Sequence, residues 1–144
     1  MKNYQHLATL LLRFGLSFGF LSAVASRLNL WGAKSSGWNN FLDYTAQVNS
    51  FVPKSLIPPV AVASTVLETT IAIMLLAGFK TSYAAFAAAI LTLLFAIAMS
   101  YSFGIKEALD YSVFAFSAGA FLLATMPGYK WSIDQLLNHS QTKK

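Results

Sequence analysis

The residues with the most chemical capacity stand where hydrocarbon is expected. Glu68 lies near the middle of an apolar run, with Ser64 and Thr65 one helical turn before it and Thr69 and Thr70 beside it. Inserting a charged side chain at such a position costs about 2.5–3.5 kcal/mol, so an ionised Glu68 must face protein or water; alone it would sit protonated. Arg13 and Arg27 share one side of a helix, about 21 Å apart along its axis, and each needs a partner or water. The long side chain of Arg13 can extend along its helix toward the membrane centre, which predicts an Arg13–Glu68 pair. A second tier is expected near the outer surface, where Arg27 ends one span while Glu107 and Asp110, three apart and on one face, begin another. Those two acids equally suit a helix N-terminus. Two readings of the inner group Arg13, Glu68, Ser64 and Thr65 stay open: an ion pair that fixes which helix sits beside which, or a polar pocket for a head group or a proton path.

The elements that would position these residues follow from hydropathy. The 144 residues are 56% apolar and carry only 15 charged side chains, where a soluble domain of this length has about 36. Four segments are long and apolar enough to cross a bilayer, at about 7–30, 58–79, 82–103 and 107–126. The connections at 78–81 and 104–106 are short enough to force antiparallel neighbours. Between the first two spans, Trp38, Phe41, Leu42, Thr45, Val48 and Phe51 repeat at helical spacing opposite a polar face, which predicts an amphipathic helix over about 38–51 lying in the interface. Gly15, Gly19, Ser22 and Ser26 form a small-residue stripe suited to close helix packing, on a different face from the two arginines. The fold class is therefore all-α: an integral membrane four-helix antiparallel bundle with an interfacial helix in the first outer loop, built as a single domain over 1–144.

Lys2, Lys80, Lys130, Lys143 and Lys144 fall on one side and Lys34, Lys54 and Lys106 on the other, which places both termini in the cytoplasm. A competing parse takes 1–13 as the basic region of a signal peptide and Ala23-Val24-Ala25 as its cleavage site. The net charge of +5 is scattered over loops and tails and not gathered in a stripe, which argues against a nucleic-acid partner. With no cysteine, thiol redox shuttles and thiolate metal sites are excluded. His6 and His139 lie outside the spans and cannot hold a haem within the bundle, and no metal site is expected. No phosphate loop or Ser/His/Asp set is present, so the chain offers no independent catalytic constellation. Trp31, Trp38 and Trp131 read as an aromatic belt; a quinone ring could stack on one of them if the loop helix covers the bundle mouth.

Several motifs together resemble the DoxX family of four-span membrane proteins. They are Leu-Leu-Arg-Phe-Gly-Leu at 11–16, Arg27 with Trp31-Gly32, Trp38-Asn39-Asn40-Phe41 leading to Phe51-Val52-Pro53, Leu67-Glu68, Leu75-Leu76-Ala77-Gly78, and Gly104-Ile105-Lys106 with Leu109-Asp110-Tyr111-Ser112. The resemblance implies a multi-pass protein of the bacterial cytoplasmic (inner) membrane whose relatives are linked to redox systems, the related DoxD protein being a subunit of a thiosulfate:quinone oxidoreductase. It highlights Arg13, Arg27, Glu68 and Asp110. The function expected is an accessory, non-catalytic subunit of a redox or oxidative-stress system, with a soluble or membrane redox partner and a quinone or lipid pocket at the charged residues. The alternatives are a quinone-binding oxidoreductase subunit and a small transporter or lipid-handling protein.

Overall fold

The computed structural model describes the backbone of residues 2–141 and the side chains of 4–137. Lys2, Lys143, Lys144 and His139, which entered the charge and ligand arguments above, have side chains outside those described. Among the described residues the chain is all helical: α1 (Lys2–Arg27), α2 (Trp38–Val48), α3 (Ile57–Ala77), α4 (Thr81–Phe103), α5 (Ile105–Asp110), α6 (Val113–Ala124) and α7 (Ile133–Gln141). Three of these, α1, α3 and α4, carry apolar stretches long enough to cross a membrane. The expected fourth span is instead broken into α5 and α6. Ser112 adopts a left-handed conformation (φ 56°) between them, and the 12 residues of α6 extend only about 18 Å.

The packing closes a ring in the order α1, α3, α4, α6, with α2 laid against α3 and α4 at one end. Small residues set the tightest contact: Ala84, Ala85, Ala88, Ala89 and Ala96 are buried along α4, where the Ser117 hydroxyl on α6 donates to the Ala89 carbonyl at 2.8 Å. The Gly/Ser stripe of α1 does less than its spacing suggests. A Cβ on Gly15 would meet open space, and only at Gly19 does a neighbour, the ring of Phe116, approach closely. The buried face of α1 runs through Thr9, Arg13, Leu16, Phe20 and Val24, which is the arginine face, because those side chains find partners inside. Several hydroxyls within the spans return their protons to their own helices, as Thr92 does to the Ala88 carbonyl at 2.7 Å, while the buried Thr81 hydroxyl at the start of α4 has no partner.

The turn between α3 and α4 ends α3 at Gly78, whose φ is 68°. A side chain there would be strained, and its Cβ would lie 2.4 Å from Ser132 Cβ and 2.6 Å from Arg13 Nη2. The C-terminal segment folds back onto this turn. The Asp134 carboxylate accepts from the backbone N–H groups of Lys80 and Thr81 at 2.7 and 2.8 Å, capping the start of α4 from across the chain.

Candidate functional site

Glu68 does find an arginine, but it is Arg27. The Arg27 Nη2 lies 2.9 Å from Glu68 Oε2 and donates to Oε1 at 3.1 Å. Nη1 donates to the Thr65 hydroxyl at 3.1 Å. The two side chains retain only 11% and 12% of their exposure. Oε2, although close to the guanidinium, is fully enclosed and off the line of any N–H. The guanidinium carbon sits 3.9 Å from the centre of the Phe41 ring, so α2 covers the cation with an aromatic face. Arg27 closes α1 and points back into the bundle, where the helical face that carries both arginines meets α3.

The expected Arg13–Glu68 pair is therefore corrected. Arg13 is 1% exposed and spends its guanidinium on backbone carbonyls: Nε on Leu75 at 3.0 Å and Nη2 on Leu76 at 3.2 Å, with Nη1 on Lys130 and Trp131, both at 3.3 Å. Leu75 and Leu76 belong to the last turn of α3, whose carbonyls lack partners and carry the negative end of the helix dipole. These carbonyls hold the planar, permanently charged fork about two turns from the Glu68 carboxylate. The outer tier is corrected as well. Asp110 pairs with Lys106 on the exposed surface of α5, while Arg27 turns inward to Glu68. Glu107 lies near Tyr44, whose phenol is pushed up from its ordinary value by burial first and by Tyr111 and Glu107 next.

The Arg27–Glu68 pair forms part of the wall of a cavity of about 380 Å³. All four helices of the ring contribute, through Phe20, Ser64, Leu91 and Phe116 among others, and α2 adds Phe41 and Thr45. The lining is mostly apolar, with the ion pair as its charged feature, a composition suited to a molecule with an apolar body and one polar group. Ser64 lies on the cavity with its proton given to the Ala61 carbonyl at 3.0 Å, and Thr65 links Arg27 to α3. Sequence reasoning brought Glu68, Ser64 and Thr65 to one place and missed Phe41, Thr92 and Asn49 as wall residues. Their helical spacing marked Phe41 as inward-facing, but only the docking of α2 shows what it faces. Asp134, which clamps the opposite end, was missed because its partners lie more than 50 residues away.

The fold and this site define a helical membrane protein with a buried ion pair set against a cavity. The family model described as methylamine utilisation protein MauE matches residues 5–110, well over half of the 144 residues, and the chain belongs to that family. No curated protein and no solved structure matches it. The match overturns the resemblance to DoxX. The motifs that carried the resemblance report architecture: Arg13 and Gly78 build the α3 terminus, and the α2 aromatics cover an ion pair.

Proposed function

We propose that the chain is an accessory membrane protein of a methylamine utilisation system, holding a hydrophobic small molecule, a quinone or a lipid, in the Arg27–Glu68 cavity on behalf of a redox partner. The observation that carries this reading is the placement of an ion pair on the wall of a largely apolar cavity inside a helical bundle. An ion pair needed only for packing is more economically replaced by apolar side chains, and one left beside open volume is available to a ligand. The family's printed description supports the utilisation role. In this reading α5 and α6 together make the fourth crossing in the cytoplasmic (inner) membrane with both termini inside, and α1 is retained, since Arg13 ties it to α3 and to the C-terminal segment.

The test is gentle extraction from native membranes with mass spectrometry of co-purifying small molecules, alongside Ala23→Leu, which fills the cavity from α1. A hydrophobic molecule recovered near one per chain, and reduced at least fivefold in the variant at unchanged helical content, is the expected result. Bulk lipid alone, identical in both proteins, overturns the reading.

A further inference from the structure

The electrical balance of the cavity wall restricts the head group it can hold; this step rests on the cavity reading above and adds a chemical class to it. Arg27 and Glu68 lie 2.9 Å apart with about nine-tenths of each side chain enclosed, so their charges cancel at the wall. Apart from the exposed Tyr111 phenol, the other polar lining groups are neutral and each gives a proton to a backbone carbonyl: Ser64 to Ala61, Thr45 to Phe41 at 2.7 Å, Thr92 to Ala88, and the Asn49 amide to Thr45 at 2.9 Å. The hydroxyl and amide oxygens keep lone pairs for an occupant, beside a guanidinium whose Nη1 and Nη2 each make one bond, to Thr65 and to Glu68. An occupant with a net charge would place an uncompensated ion among aromatic and aliphatic side chains, a cost that no wall group offsets. A neutral hydroxyl can donate to the lone pairs while its tail fills the apolar remainder. We propose that the cavity takes an uncharged, hydroxyl-headed amphiphile, and that the Arg27–Glu68 pair is the filter that rejects ionic heads.

The filter predicts a gain of function. Glu68→Gln leaves Arg27 charged at every accessible pH, so the altered cavity attracts anionic heads; Arg27→Gln/Glu68→Gln is neutral again and restores the original preference. The experiment offers purified protein an equimolar mixture of dodecanol, dodecyl methyl ether, dodecyl sulfate and dodecyltrimethylammonium, with bound species read by native mass spectrometry. The wild type is expected to retain dodecanol at least tenfold over either ion and severalfold over the ether, which cannot donate. Glu68→Gln is expected to raise dodecyl sulfate at least tenfold, and the double variant to reject both ions as the wild type does. Equal retention of all four heads, a preference for an ion in the wild type, or no gain of sulfate in Glu68→Gln overturns the filter while leaving the cavity reading in place. Absence of every adduct from all three proteins overturns the cavity reading itself. A quinol and a lipid alcohol share the proposed chemistry, and added decylhydroquinone separates them: displacement of dodecanol at equal concentration assigns the site to a quinol, and persistence of dodecanol assigns it to a lipid alcohol.

Discussion

Two arginines on one face of α1 meet opposite fates at the two ends of the bundle. At the α3–α4 turn, Arg13 is closed in by four backbone carbonyls. The core beside it is closely packed, with Leu16, Ile71, Leu75, the α4 alanines and Leu123 in contact. At the other end, Arg27 meets one carboxylate, one hydroxyl and one ring, beside a cavity of about 380 Å³. The same residue type on the same helical stripe is architecture in one place and a candidate site in the other. The difference lies in the partners. Carbonyls at a helix end are fixed by the fold and absorb all that a guanidinium can give, whereas a side-chain carboxylate next to open volume leaves a polar surface that a ligand can reach.

The largest effect is therefore expected at Arg13. Arg13→Leu strips the last turn of α3 and the Lys130–Trp131 segment of their donor, leaving buried carbonyls unpaired. With roughly 0.6–1 kcal/mol for each bond within a membrane protein, the loss comes to about 3 kcal/mol, seen as a collapse in yield and a lower thermal midpoint in mild detergent. Arg13→Lys is expected to recover little of it, because one ammonium cannot span carbonyls that lie on two sides of a planar fork. A variant that melts like the wild type would erase the distinction between the two ends.

How much of this was legible beforehand follows the same division. The bounds of α3 and α4 were readable to within two residues, since Pro58-Pro59 suits a first helical turn, Gly78 suits a left-handed stop, and the apolar runs between are uninterrupted. Glu68 was readable as a candidate in need of a partner because hydropathy makes a central acid conspicuous. The identity of its partner was not. Arg13 and Arg27 lie on one face of the same helix, and choosing between them depends on the stagger of α1 against α3, which no local pattern encodes. The break at Ser112 was hidden for a related reason: its left-handed backbone is a property of the α5–α6 packing, while its neighbours read as continuous helix. The α2 helix was legible as amphipathic, with Phe41, Thr45 and Val48 buried as expected, though it ends at Val48 and leaves Phe51 exposed in an edge-on contact with Tyr101.

A second, smaller effect separates the ends by double substitution. Arg27→Gln and Glu68→Gln each leave a partner uncompensated, and each is expected to cost about 2 kcal/mol, below the range for fully enclosed pairs because both side chains keep about a tenth of their exposure. The combined variant should lose clearly less than the sum, a coupling of roughly 1–2 kcal/mol measured by thermal or denaturant unfolding of all four proteins. No second side-chain change can rescue Arg13 in this way, since its partners are main-chain atoms. Strict additivity at Arg27 and Glu68 would mean that the pair contributes through separate contacts, and the Arg27 end would then resemble the Arg13 end more than its geometry suggests.

The smallest effect concerns how well α2 shields the Arg27 end from water. Tyr44 packs against Phe95 and Phe103, and burial, reinforced by Tyr111 and Glu107, raises its pKa above the ordinary tyrosine value near 10. The sign follows from proton linkage. Below about pH 10 the phenol is protonated in both folded and unfolded chains, so pH has no leverage through this group. Above it, the unfolded chain releases the proton first and is favoured, and stability falls until the folded phenol also ionises. The thermal midpoints of wild type and Tyr44→Phe should therefore keep a constant offset from pH 7 to 9, and the wild type should lose ground to the variant as the pH passes 10. Parallel curves throughout would mean that the Tyr44 hydroxyl meets water freely, so that α2 is a porous cover over the cavity beneath it.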